Sequence, residues 1–152
     1  SWGEDNLMQF LTGVIRRYRP LVAVTHGFNG EYGHGAHKSC AYALTKCLGY
    51  AADPNYLLGG EDAFLEPWQI RKVYIHLYEE NPVDMDWRVP LEAFGGKTGF
   101  DIAEEAFKCH VSQQKTDYHV EDWGPWDNSL FGLFRTLVGP DEAKDDFFEN
   151  IP

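Results

Sequence analysis

The chain has 152 residues, a formal net charge of -11 and 43% hydrophobic residues, enough apolar sequence for one domain with a buried core. An acidic balance with no basic cluster beyond Arg16 to Arg19 excludes a surface built to hold DNA or RNA. No stretch reaches the roughly 18 apolar residues of a membrane helix, and Cys40, Cys47 and Cys109, without a C-x-x-C, exclude a disulfide framework or a cysteine zinc site.

Residues 4–18 carry Leu7, Met8, Leu11, Val14 and Ile15 at helical spacing and stop before Pro20, predicting a helix. The run PLVAVTH, Pro20 to His26, is short and nearly continuously apolar, as in a parallel strand covered on both faces. A glycine-rich loop follows. Beyond it Cys40, Ala43, Leu44, Cys47 and Leu48 repeat at helical spacing, with Gly49 as a stop. That second helix would carry His37 on its first turn, facing inward. Residues 51–68 read as irregular, and KVYIHLY, Lys72 to Tyr78, as a strand. A third helix is expected from a Thr98 cap through Gln113, with Ile102, Ala106, Phe107 and His110 on its apolar face. SLFGLFRTLVG, Ser129 to Gly139, reads as a strand or a short apolar segment closing the core, before an acidic tail. This alternation predicts an α/β fold with a parallel sheet. Two convincing strands are fewer than a doubly wound sheet needs, so the chain reads as part of a domain.

The chemistry gathers in THGFNGEYGHGAHK, Thr25 to Lys38, which holds three of the six histidines and four glycines. In open α/β sheets the ligand crevice lies beyond the carboxyl ends of the strands, where His26 delivers this loop. His34 and His37 stand i, i+3 at a helix start, so both rings project into one region. Imidazole is the commonest protein metal ligand, which invites a zinc reading. Two histidines are fewer than the three protein ligands of a catalytic zinc, so further ligands are expected elsewhere. An isolated H-x-x-H is usually surface decoration; the strand before it and the apolar helix after it favour a site.

VTHGFNGEYGHGAHK resembles the second motif of the GlcNAc-phosphatidylinositol de-N-acetylase-like family, also called PIG-L or LmbE-like, and AFKCHVSQQ and LFRTLVGPDEAKDDFFENI resemble its C-terminal half. The resemblance implies a Rossmann-like three-layer α/β sandwich with a mainly parallel sheet. It implies a hydrolase that uses Zn2+, or another divalent metal, to remove the acetyl group from a GlcNAc-containing glycoside or glycan. His37 would ligate zinc. His34 would stay off the metal and, protonated, stabilise the oxyanion or donate a proton, and Tyr32 would polarise the acetyl carbonyl. In such chemistry zinc lowers the pKa of water toward ~7 and a carboxylate base takes its proton.

Two departures qualify the likeness. Family members often read H-P-D-H, the Asp orienting the first histidine, where this chain has Gly35 and Ala36; His34 then needs another acceptor, for which Glu31 is a candidate. The family's first motif, H-P-D-D, supplies a histidine, an aspartate and the general base, and no such tetrapeptide occurs here. Residues 1–152 are therefore expected to be the C-terminal portion of a single deacetylase domain, with the N-terminal portion as its partner. Other readings are a non-catalytic sugar-binding module and one half of a two-piece assembly. His26 reads as a group behind the metal ligands or a strand-end histidine bonded to backbone. His110 reads as a satisfied core histidine or, with Gln113, as part of the family segment that borders the site. Asn29 and Glu31 shape the loop or touch sugar hydroxyls, and Arg88 binds a hydroxyl or an anionic aglycone, or pairs with a nearby acid. His76 and His119 read as structural. The closing motif and acidic composition resemble extracytoplasmic bacterial members.

Overall fold

A computed structural model describes residues 3–84, 86–114 and 125–152. Helix α1, Glu4–Tyr18, begins with Glu4 and Asp5 and ends with Arg16 and Arg17, charges that oppose the helix dipole at each end. A left-handed Arg19 turns the chain out of the helix before Pro20. Strand β1, Val22–Thr25, leads through the glycine loop to helix α2, Gly35–Ala52, and then to strand β2, Lys72–His76. Helix α3, Gly99–Phe107, precedes strand β3, Phe131–Thr136. No helix among the described residues is long and apolar enough to cross a membrane.

The strands form one sheet in the order β1-β2-β3. β1 pairs parallel with β2, Val22 opposite Lys72 and Thr25 opposite Ile75, with α2 in the crossover between them. β3 runs antiparallel to β2, so the sheet is mixed rather than mainly parallel. The reason lies in the route between them. The chain enters β3 from the carboxyl end of β2, where Leu77 N donates to Leu130 O at 2.9 Å, and so runs back along it.

β2 is buried at every residue, and its alternation serves two cores. Val73 joins Met8, Ile15, Leu44, Cys47 and Leu48 under α1 and α2. Tyr74 points the other way, into a cluster with Val83 and Leu133 against which Phe131 and Phe147 pack. β1 departs from the expected double coverage: among the described residues it pairs only with β2, and Val24 is 45% exposed. α3 starts as predicted, with Thr98 Oγ1 accepting from Asp101 N (3.1 Å) and the Asp101 carboxylate accepting from Thr98 N (2.8 Å). It is shorter than predicted. Tight bonds from Cys109 N to Ala106 O and His110 N to Phe107 O, 2.9 Å each, end it, and His110 lies beyond the helix rather than on its face.

Two buried polar devices hold the layers. Arg16, 5% exposed, donates from Nε to Ala51 O (3.1 Å) and from Nη2 to Tyr50 O (2.8 Å) and Asp53 O (2.6 Å), so α1 satisfies the free carbonyls at the end of α2. On the other face Asp141 is gripped by the fully buried Lys72 ammonium and by the Tyr74 hydroxyl, which donates at 2.5 Å. Lys72 also donates to Glu149 O at 2.9 Å, clasping the tail to the sheet. Burial, with Asp141 beside it, pushes the Tyr74 phenol far up from its ordinary pKa.

Replacing Arg16 by Ala strands those carbonyls and is expected to cost about 2–4 kcal/mol in urea unfolding. Asp141→Ala leaves a buried ammonium unpaired and is expected to cost about 3–5 kcal/mol.

Candidate active site

Because Thr25 pairs with Ile75, the residues that follow, His26 and His76, stand side by side at the carboxyl ends of two parallel strands. The loop then doubles back. Gly30 takes φ 64°, and a Cβ there would lie 2.7 Å from His34 O, so only glycine fits. Tyr32 is held at φ 43°, a left-handed conformation sparsely populated by residues with a side chain. The fold of this loop drives the Glu31 side chain inward, where Glu31 is 6% exposed.

Glu31 is the hub of the site. Its Oε1 accepts from Gly27 N at 3.1 Å and lies 2.5 Å from His76 Nδ1. Its Oε2 lies 3.0 Å from His26 Nδ1 and 2.5 Å from His37 Nδ1. Burial pushes the carboxyl pKa up, but the Gly27 N–H, His76 and the His26 ring outweigh it and hold the group down at about 2. His26 and His37 stack with centroids 4.1 Å apart and planes 10° from parallel. His76 reaches Asp127 O with Nε2 at 2.8 Å, so each of its ring nitrogens faces an oxygen of another residue.

His26, Glu31 and His37 bring their ligand atoms within 4.8 Å of one another. His37 Nδ1 is buried and lacks a hydrogen bond among the described residues, since the nearby Glu31 oxygen lies outside the angular range of one. Two imidazoles and a carboxylate are a common zinc donor set, and a cation among them would satisfy that orphaned nitrogen. The residues fit a divalent metal.

His34 caps α2, its Nδ1 accepting from Ala36 N at 3.3 Å, which leaves the hydrogen on Nε2. Its acceptor is not Glu31, which is taken up by the other three histidines. The His34 ring lies 4.7 Å from that of His37, and Tyr32 stands edge-on to His37 at 5.5 Å and to Trp126 at 6.0 Å. A cavity of about 560 Å3 opens over His26, Glu31, His37 and His76, walled by Tyr32, Phe107, His110 and Trp126, with Gln113 and Asn128 at its lining and His34 outside it. His110 stacks on Phe107 at 5.9 Å. Asn29 lines an adjoining cavity of about 360 Å3 that shares His76 and Trp126 with the first. Arg88 lines neither; its guanidinium lies 4.8 Å from the centre of the Phe100 ring.

Sequence reasoning passed over His76, which the structure places against Glu31 and in the cavity wall. The signal was available: it ends a strand, as His26 does. His119 lies outside the described residues.

No family model matches the chain. It is similar to bacterial proteins named 1D-myo-inositol 2-acetamido-2-deoxy-alpha-D-glucopyranoside deacetylase. One from Geodermatophilus obscurus is 36% identical over 190 aligned positions, covering 97% of this chain and 60% of the relative. A second, from Thermobispora bispora, is 42% identical over 70 residues, 46% of this chain and 21% of the relative. A third, from Saccharopolyspora erythraea and named deacetylase 2, is 42% identical over 73 residues, 47% of this chain and 24% of the relative. The matches thus span from about a fifth to three fifths of the relatives' length. The chain is a homologue of deacetylases bearing that name.

A carboxylate held near pKa 2 contributes stability that is complete above its ordinary pKa of about 4.5 and is lost as pH falls toward 2. Thermal unfolding of the metal-free chain followed from pH 5 to pH 2 is expected to show this loss, and Glu31→Gln to flatten it over that interval.

Proposed function

We propose that this chain is the C-terminal part of a metal-dependent N-deacetylase of the PIG-L or LmbE-like family, a hydrolase that removes acetyl groups from a GlcNAc-containing glycoside or glycan. The observation that carries the reading is the meeting of His26, Glu31 and His37 at one end of the sheet, with Tyr32 beside them under an open cavity and the His34 ring 4.7 Å from that of His37. The homologues' names, which describe deacetylation of an acetamido-glucoside of inositol, agree with it.

His37, with His26 and Glu31, would hold the cation, zinc in the first instance, which supplies a Lewis acid for the amide carbonyl and eases deprotonation of water. Glu31 is a poor general base, because a carboxylate held near pKa 2 and faced by three imidazoles and an N–H has little affinity for a proton. The base, with the family's first-motif ligands, is assigned to a portion of the protein outside these 152 residues. The Nε2–H of His34 and the hydroxyl of Tyr32 donate toward the charge that grows on the amide oxygen. His34 acts here as a neutral donor held by its bond from Ala36 N; the protonated form would have to give up that cap. His110, Phe107 and Trp126 present stacking surface to the sugar ring.

A second reading, a sugar-binding module without catalysis, draws on Gly35 and Ala36 in place of the family's Pro and Asp.

Acetate release from N-acetylglucosaminides by the full-length protein, with and without chelator, separates the two. Release that chelator abolishes and zinc restores is expected; bound zinc without release across a substrate panel would leave only the binding module. Tyr32→Phe and His34→Asn are each expected to lower kcat by roughly 100-fold or more with a smaller change in KM. His37→Ala is expected to lose bound zinc in elemental analysis.

A further inference from the structure

We propose that His76 is a positioning residue that ties the metal-ligating carboxylate to the sugar-facing wall of the cavity, each ring nitrogen serving one of the two. The assignment rests on the deacetylase reading for what the wall binds, and on this chain's own geometry for the rest.

The backbone of His76 is held in the sheet. It is the last residue of the central strand, paired with Phe131 of β3, 9% exposed, its ring 5.0 Å from that of Phe131. From there Nδ1 meets Glu31 Oε1 at 2.5 Å. That oxygen's other described hydrogen-bond partner is the Gly27 N–H, so His76 and a backbone amide together set how the carboxylate is turned toward His26 and His37. Carboxylates that ligate metals are themselves oriented by such partners, and losing one costs metal affinity.

Nε2 points the opposite way, to Asp127 O at 2.8 Å. Asp127 sits between Trp126 and Asn128, both of which line the cavity. Its carbonyl is well placed to serve as an anchor, because the Asp127 carboxylate accepts from Ser129 N at 2.8 Å and Ser129 Oγ at 2.6 Å, closing the turn that follows. Leu77 N also donates to Leu130 O at 2.9 Å, at the far end of this segment. A rigid imidazole between the two partners fixes the distance from the carboxylate to the wall. His76 also belongs to the linings of both adjoining cavities, as Trp126 does, which is where such a tie would have to stand.

The two bonds can be cut one at a time. An Asn amide nitrogen occupies nearly the place of imidazole Nδ1, and a Gln amide nitrogen nearly that of Nε2. In the full-length protein, zinc affinity is measured by competition with a chromophoric chelator, and the affinity of the zinc-loaded protein for methyl N-acetylglucosaminide by calorimetry. His76→Gln, which keeps the bond to Asp127 and drops Glu31, is expected to weaken zinc about 10- to 100-fold. His76→Asn, which keeps Glu31 and drops Asp127, is expected to hold zinc within about threefold while binding the glycoside about tenfold more weakly.

Variants that lower only the unfolding temperature, with both affinities intact, would make His76 a structural residue and overturn the proposal. Indistinguishable effects of the two substitutions would overturn the division of labour, and a wild-type protein that binds no glycoside would overturn the wall half. Acetate release, followed in parallel, reports on the deacetylase reading alone: its absence alongside the expected pair of affinity changes sinks that reading and leaves the tie standing.

Discussion

A carboxylate taken out of water has to be surrounded by donors, and the buried carboxylate of Glu31 collects them from the loop and from the ends of both parallel strands. Gly27 N comes from the loop, His26 from the end of β1 and His76 from the end of β2, while His37, from the first turn of α2, stands beside Oε2 without a hydrogen bond to it. Those donors lower its pKa against the desolvation that would raise it. The parallel pairing of β1 with β2 is what allows this, because it sets His26 and His76 at the same height. The left-handed Gly30 and Tyr32 then turn the loop so that Glu31 points back between them.

The rest of the fold is held by polar groups that close off backbone ends. Arg16 belongs to α1 yet finishes α2, filling the place that a glycine cap or water would otherwise take. Asp141 belongs to the tail yet completes the buried face of β2 through Lys72 and Tyr74. Breaking either bond would expose a charge or a carbonyl that nothing nearby can satisfy, so these contacts fix which surfaces meet, while the apolar clusters supply most of the burial.

The site itself is asymmetric. One side, Glu31 with its three imidazoles, is packed and tightly bonded. The other, from Tyr32 across Trp126 to Phe107 and His110, is an open wall of rings. That division suits a hydrolase of acetylated amino sugars: rigid where charge must be managed, broad and flat where a saturated ring is to be held. His34 stands between the two. In the family pattern an Asp inside the H-x-x-H orients the first histidine; here Gly35 and Ala36 cannot, and the backbone N–H of Ala36 takes hold of the ring instead. The same imidazole thus serves as helix cap and proposed donor.

Local chemistry made much of this legible in the sequence. Apolar spacing marked α1 and α2, a Val-rich run marked β1, Thr98 marked the start of α3, and the glycines between three histidines marked the loop as a site. These signals are written in neighbouring residues, so no tertiary information is needed to read them. The direction of β3, the end of α3 at Phe107, the burial of Arg16 and the tail clasp depend on where the chain re-enters the sheet and on partners tens of residues away. His76 shows the difference most clearly. In the sequence it is one polar residue in an apolar strand, 45 positions from Glu31. Only the strand pairing, which brings the ends of β1 and β2 together, made it a partner of the carboxylate.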